Sequence, residues 1–199
     1  MDYFEVFGLP RKLALDAAAL QERFYALSRQ VHPDFHAGKP PTEQAAALEA
    51  SARLNAAYRA LRDPIARIEY LIRLEEGRPT REGSAERPAA PPELLAELFE
   101  VQEALAEARA GGLGEEARRT LAAERDRLRV RLEEETARLT GSLTTAWDGA
   151  ASAEERARVL RELKETLARR TYLATVIEDL EQALGGAEET GEHVAHHRH

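Results

Sequence analysis

The chain has 199 residues, of which 43% are hydrophobic and 32% are charged, and this balance is typical of a folded chain rather than a disordered one. It contains no cysteine, which excludes disulfides, thiolate metal sites and cysteine nucleophiles. The net charge of −8 arises after residue 92, where 15 Lys and Arg stand against 23 Asp and Glu. Such an acidic half repels phosphate backbones, so we expect no nucleic-acid partner.

The sequence also bears on location. No apolar run is long enough to cross a bilayer, and the first five residues lack the basic and apolar regions of a signal peptide. The absence of cysteine fits a reducing compartment. We therefore expect a cytoplasmic protein with no membrane partner.

In the first part of the chain, apolar residues recur at helical spacing. Steps of four, three and four between residues 16 and 31 predict an amphipathic helix that Asp16 caps and Pro33 ends. After a polar loop, Thr42 is expected to cap a second helix, and Asp63 a third, short one. Helices joined by a short loop pack antiparallel, so this loop should lie at one end of a helical hairpin.

The rest of the chain is predicted to hold a linker, a bundle and a tail. Residues 77–92 are the linker, since six of these sixteen are Gly or Pro. Heptad-like apolar stripes over 93–184 predict three helices, the last opened by Ser152 and Glu155 at capping-box spacing. Residues 185–199 are expected to be disordered. The predicted fold class is all-α, an N-terminal helical hairpin followed by a C-terminal antiparallel three-helix bundle.

The loop of the hairpin carries His32-Pro33-Asp34. An acid–base pair needs a histidine that a buried partner orients towards a pocket, and a loop between two helices does not offer this. As a docking epitope the residues make chemical sense, because proline fixes the backbone, aspartate offers a carboxylate to an arginine, and histidine supplies a hydrogen-bonding ring. The alternative is a solvated polar loop without function.

Seven short segments of residues 1–76 form a recognisable combination: Met1-Asp2-Tyr3-Phe4, Phe7-Gly8-Leu9-Pro10, Arg23-Phe24, His32-Pro33-Asp34, Asn55-Ala56-Ala57-Tyr58, Leu61-Arg62-Asp63-Pro64 and Arg67-Ile68-Glu69-Tyr70-Leu71. Residues 1–76 resemble a J domain, the module that activates DnaK-type ATPase chaperones. More narrowly, the segments resemble the HscB family, the J-domain co-chaperones of iron–sulfur cluster assembly. The resemblance continues more loosely into the predicted bundle.

The resemblance implies that residues 32–34 trigger ATP hydrolysis on a DnaK-type chaperone (HscA-like). It also implies that Arg23 and Arg29, on the preceding helix, contact an acidic surface of that chaperone. J domains usually carry more basic residues on this helix, where the present chain has Tyr25 and Gln30, and this favours a dedicated partner over general chaperones. The alternative is that both arginines belong to a solvated helix face.

The first helix of the predicted bundle carries a second candidate surface. Its core stripe is complete without Leu95 and Phe99, and carboxylates line the neighbouring face. An apolar strip rimmed by carboxylates can bind a partner. In the HscB family this helix holds the cluster scaffold protein (IscU-like), and the resemblance implies that role for Leu95, Ala96, Phe99, Glu100, Glu103, Glu107 and Tyr172. The alternative is that Leu95 and Phe99 widen the core stripe.

No nucleophile, base and oxyanion donors can be assembled from these residues, so we expect a protein that is not an enzyme and has no cofactor. No metal site is expected either, because the four histidines between 193 and 199 lack a fold to set their geometry. The leading hypothesis is a co-chaperone that presents a scaffold protein to its ATPase. Two alternatives stay open: a general J-domain co-chaperone with another client, and a structural helical adaptor.

Overall fold

The computed structural model describes residues 1–78, 91–112 and 114–192, which contain helices and no β-strand. The predicted all-α fold class is confirmed. In chain order, the helices are α1 (Tyr3–Val6), α2 (Ala17–Val31), α3 (Pro41–Arg62), α4 (Pro64–Glu75), α5 (Pro92–Glu97), α6 (Phe99–Gly111), α7 (Glu115–Arg138), α8 (Thr144–Gly149) and α9 (Ala153–Glu192). A 3₁₀ turn (Pro33–His36) lies between α2 and α3, and a π-helical segment (Leu139–Leu143) lies between α7 and α8.

The chain forms two compact units. The hairpin unit comprises Met1–Ala85 and Leu139–Lys164, and the bundle unit comprises Glu86–Arg138 and Glu165–His199. These bounds differ from the expected domains, 1–76 and 93–184, because the segment 139–164 packs with the N-terminal helices. Within the hairpin unit, the π-helical segment contacts α4, and Trp147 is buried.

In the hairpin unit, α1 packs on α4 through aromatic rings. Phe4 and Tyr70 are buried, and the ring of Tyr3 stacks on that of Tyr70 with centroids 4.5 Å apart. The backbone N–H of Tyr3 donates a hydrogen bond to the hydroxyl of Tyr70 at 2.8 Å. Burial raises the pKa of Tyr70 above its ordinary value, since the charged phenolate would lose its hydration there.

A buried arginine ties the loop 9–16 to the helices. Arg67 of α4 donates hydrogen bonds to the carbonyl of Leu61, at 2.8 Å, and to that of Leu13. Burial lowers the pKa of this guanidinium, while the nearby carboxylates of Asp63 and Asp148 raise it. The carboxylate of Asp148 in turn accepts the backbone N–H groups of residues 13 and 14, each at 2.8 Å.

Helices α2 and α3 form the predicted hairpin. Asp16 caps α2 as expected, because its carboxylate accepts two backbone N–H groups of the first turn. The expectation for Thr42 was wrong: α3 begins at Pro41, without a side-chain cap, since proline suits the first helical position. The rings of Phe24 and Tyr58 stack between the two helices with centroids 4.2 Å apart.

In the bundle unit, the helices α5, α6 and α7 and the second part of α9 share one apolar core. The predicted first helix is divided in two at Leu98, whose backbone N–H bonds the carbonyl of Leu94 at 3.1 Å and closes α5. The core is formed by Leu94, Leu98, Leu105, Leu121, Leu128, Leu173, Val176, Ile177, Leu180 and Leu184.

Two predicted segments fall partly outside the description. Residues 79–90 of the expected linker and 193–199 of the expected tail lie outside the described residues. From 185 to 192 the backbone continues α9, so the helix is longer than predicted there. Among the described residues, no helix is both long and apolar enough to cross a membrane.

Candidate functional site

The His-Pro-Asp turn connects the two helices of the hairpin. Helix α2 ends at Val31, and His32 adopts an extended conformation with φ −64° and ψ 126°. The residue before a proline is driven out of the α region, so Pro33 accounts for this ending. The 3₁₀ turn that begins at Pro33 then carries Asp34 beyond the end of α2.

Both polar side chains of the turn face solvent, with 49% of His32 and 87% of Asp34 accessible. The Nδ1 atom of His32 accepts a hydrogen bond from the backbone N–H of Asp34 at 3.3 Å. This hydrogen bond favours the tautomer whose ring proton is on Nε2, and from there the proton can be donated to another molecule. The carboxylate of Asp34 lies 3.6 Å from Nδ1, which is too far for a hydrogen bond. The turn thus presents one oriented donor and one available carboxylate.

The turn is fastened to both helices by residues that the sequence analysis missed. The side-chain amide of Gln44, on α3, donates to the carbonyls of Ala37 and Lys39 at 3.1 and 2.8 Å. The Nε2 atom of His36 lies 3.3 Å from the carbonyl of Gln30, near the end of α2. The only local sequence signal for these hydrogen bonds is a glutamine in the first turn of a helix that follows a polar loop. The loop is therefore hydrogen-bonded to both helices, through His36 to α2 and through Ala37 and Lys39 to α3.

The two candidate arginines lie on different sides of α2. Arg29 precedes His32 by three residues and follows Tyr25 by four, so these three side chains share one strip of the helix. Arg23 lies about 120° away around the helix axis at 3.6 residues per turn, and it lines an open cleft beside Lys12 of the loop 9–16. Both arginines are exposed, and neither forms an ion pair with any residue in the described ranges.

The second candidate surface is an exposed strip on α5 and α6, here called the outer strip: Leu95, Ala96, Phe99, Glu100, Glu103 and Glu107. Leu95 is 47% exposed and Phe99 58%, whereas the adjacent Leu94 and Leu98 are buried. The apolar side chains of the strip therefore point away from the core and do not widen it. Below the strip, Glu97 of α5 forms an ion pair with Arg131 of α7 at 2.5 Å.

Tyr172 belongs to a different environment. It lies on α9, is half-buried, and packs against the apolar core of the bundle unit. Its ring therefore contributes to that core, and any contact with a partner is limited to its exposed part.

Both surfaces expose groups that can contact another protein. The turn carries a ring donor and a carboxylate, and the outer strip carries apolar side chains and carboxylates. Within the described ranges, no group of three or more His, Asp or Glu is close enough to hold a metal ion. The four histidines of the expected tail, from His193 to His199, lie outside those ranges.

Comparisons with known proteins agree with the all-α fold. Residues 2–70 match the family model of the DnaJ domain. A relative, the co-chaperone protein HscB homolog of Azoarcus sp. (strain BH72), is 32% identical over 162 residues, which cover 81% of this chain and 85% of the relative. The crystal structure of human co-chaperone protein HscB is similar with a TM-score of 0.60 and 26% identity, over 91% of this chain and 81% of that one. The chaperone HscB from Vibrio cholerae is similar with a TM-score of 0.54 and 27% identity, over 90% and 99% of the two chains.

Proposed function

Since the chain belongs to the HscB family of J-domain co-chaperones, we propose that it delivers the scaffold protein of iron–sulfur cluster assembly to a DnaK-type ATPase chaperone. The ATPase (HscA-like) is engaged by the turn His32-Pro33-Asp34, with Arg23 and Arg29 adding positive charge. The scaffold protein (IscU-like) is held by the outer strip, and the exposed part of Tyr172 adds to this contact.

The observation that carries this proposal is the exposed and oriented turn. An arginine of the ATPase can take the carboxylate of Asp34 in a bidentate pair, and an acceptor can take the Nε2–H of His32. Hydrogen bonds to charged groups contribute about 1.5–3 kcal/mol each. Because the turn is already fastened by Gln44 and His36, little conformational freedom is lost when it binds. This chain breaks no bond itself, and ATP is hydrolysed on the partner.

The outer strip supports the second contact. Leu95 and Phe99 are each about half exposed, so covering them on a partner gains about 1 kcal/mol apiece, roughly half of the value for full burial. Glu100, Glu103 and Glu107 add negative charge along α6 next to them, which favours a partner surface that combines apolar and basic groups. A single chain that binds both proteins raises the local concentration of the scaffold at the ATPase.

The ATPase contact is tested by ATP turnover of the purified DnaK-type chaperone with the full-length chain. Asp34→Asn and His32→Gln are expected to reduce the stimulation at least tenfold, about the effect of losing one charged hydrogen bond. The matched control is Glu49→Gln, which neutralises another exposed carboxylate, 73% accessible on α3. Full stimulation by a folded Asp34→Asn chain would exclude the turn as the docking element.

The scaffold contact is tested by calorimetric titration of the scaffold protein. The double variant Leu95→Ala and Phe99→Ala should bind about 30-fold more weakly, which corresponds to about 2 kcal/mol of lost burial. Val130→Ala, on α7, is the control because Val130 is also apolar and 57% exposed. Unchanged affinity of the double variant would show that the scaffold is bound elsewhere.

The two alternative functions give different results in the same experiments. A general J-domain co-chaperone would stimulate the ATPase but show no affinity for the scaffold protein. A structural adaptor would do neither, and its behaviour would not change with His32→Gln.

A further inference from the structure

Phe35 is an apolar residue on the docking turn that the proposed function does not use. Its side chain is 69% exposed, and it directly follows Asp34. Single exposed apolar residues are common on protein surfaces. Phe35, however, lies on a loop that is hydrogen-bonded to α2 and α3, unlike a residue on a mobile loop.

The backbone that carries the ring of Phe35 is held by hydrogen bonds. The backbone N–H of Phe35 donates to the carbonyl of His32 at 3.1 Å, which closes the 3₁₀ turn beneath it. The last residue of the turn, His36, contacts the carbonyl of Gln30 on α2, and Gln44 of α3 binds the carbonyl of Ala37 just after the turn. An aromatic side chain on a fixed backbone has few rotamers to lose on binding, which is typical of anchor residues in interfaces.

The ring also faces the same region of space as His32. The two rings meet edge to face, with centroids 6.0 Å apart and planes at 71°. A partner group that contacts His32 on the side of Phe35 therefore comes within van der Waals reach of both rings. On that side, contact with His32 also buries part of Phe35.

The charge of α2 is small. The helix carries Arg23 and Arg29 against Glu22, so its attraction for an acidic partner surface is limited. A larger share of the affinity for the ATPase must therefore come from short-range contacts near the turn.

We propose that Phe35 is a specificity-determining residue, whose ring enters an apolar recess on the ATPase beside the cation that takes Asp34. This inference rests on the proposed function and adds the chemistry of the partner site, an apolar recess next to an arginine. An ATPase with a charged group in place of the recess is a poor partner, because that group would be desolvated without compensation.

The test is a titration of the full-length chain into single-turnover ATP hydrolysis by the DnaK-type chaperone. Phe35→Ala is expected to raise the half-maximal concentration about tenfold, as one lost anchor would. The maximal rate at saturation should stay near that of the unaltered chain, because His32 and Asp34 remain. Leu48→Ala, which removes an equally exposed apolar side chain from α3, is expected to change neither quantity.

Phe35→Leu separates burial from an indirect effect through the imidazole. Leucine fills a recess but cannot make the edge-to-face contact, so it should restore the half-maximal concentration to within about threefold of the unaltered chain. If leucine is as poor as alanine, or if Phe35→Ala titrates like the unaltered chain, the inference is wrong. If the unaltered chain does not stimulate ATP hydrolysis at all, both the inference and the proposed function are wrong. Loss of activity in Asp34→Asn alone, with Phe35→Ala unaffected, would overturn only the inference.

Discussion

Asp148 joins the segment after α7 to the loop before α2, and its replacement by alanine is expected to destabilise the hairpin unit. Its two carboxylate oxygens accept the backbone N–H groups of Leu13 and Ala14, each at 2.8 Å. The carbonyl of Leu13 is in turn bound by the buried Arg67. Asp148→Ala would leave both N–H groups without their acceptor and remove an anion that raises the pKa of Arg67.

The size of the effect follows from the exposure of the two hydrogen bonds. The bond to Leu13 is partly buried, and a hydrogen bond to a charged acceptor contributes about 1.5–3 kcal/mol. The bond to Ala14 is exposed, so water replaces the lost acceptor there at little cost. We therefore expect the free energy of unfolding to fall by about 2 kcal/mol, or the Tm by about 4–8 °C for a chain of this size.

Thermal unfolding followed by circular dichroism measures the global effect, and hydrogen exchange at the amides of Leu13 and Ala14 measures the local one. The control is Glu134→Ala, an exposed carboxylate of α7 that has no ion pair within the described part of the chain. If Asp148→Ala melts within about 1 °C of the unaltered chain and both amides exchange as slowly as before, these hydrogen bonds do not stabilise the hairpin unit.

Two further predictions concern charge. Arg29→Ala should raise the half-maximal concentration for ATPase stimulation more than Arg23→Ala, because only Arg29 shares a strip of α2 with His32; equal effects in the same titration would contradict this. Glu155→Gln should lower the stability measured by urea unfolding at neutral pH, because the carboxylate accepts the backbone N–H groups of residues 151–152, which lower its pKa below the ordinary 4.5. A depressed pKa in the folded state stabilises above that ordinary value, and the contribution is lost as the pH falls through the folded pKa. The two chains should therefore converge in acid, and a difference that persists there would contradict the assignment.

The parts of the fold that depend on neighbouring residues could be predicted from the sequence. Asp16 and Asp63 cap their helices as expected, and Ser152 and Glu155 form the predicted capping box. Pro33 ends α2 through its effect on the residue before it. Each of these signals acts within four residues, and that is the range over which single-sequence patterns determine backbone conformation.

The assignment of helices to cores could not be predicted in the same way. Leu163 and Leu173 lie on one continuous apolar stripe of α9, yet the first belongs to the hairpin unit and the second to the bundle unit. The hydrophobic periodicity of a helix indicates which of its faces is buried, but it does not indicate which other helix packs against that face. The contact of Asp148 with Leu13 joins residues 135 apart and has no local signature at all. Arg67 shares α4 with Glu69, Arg73 and Glu75, so its charge alone did not mark it as the buried member of a polar network.

The position of the candidate site was predictable, and its detail was not. The loop between two amphipathic helices placed His32 and Asp34 at the end of a hairpin. The tautomer of His32 and the hydrogen bonds of Gln44 depend on interatomic distances, which a sequence pattern does not contain. The separation of Arg23 from Arg29 could have been obtained from their spacing of six residues, which puts them on different faces of any helix.

The two proposed contacts depend on different kinds of interaction, so they should differ in how well they tolerate substitutions. The turn acts through a directed ring donor and one carboxylate, and a directed hydrogen bond is lost entirely when its donor or acceptor is replaced. The outer strip acts through half-exposed apolar side chains, for which a volume-conserving exchange such as Leu95→Met costs little. On this proposal, recognition of the ATPase is concentrated in a few residues that admit no substitute, whereas recognition of the scaffold is spread over a surface that can vary in detail. Phe35 combines the two, because it lies on the directed turn but contributes by burial, and for that reason its exchange for leucine is the substitution within the turn that should be tolerated.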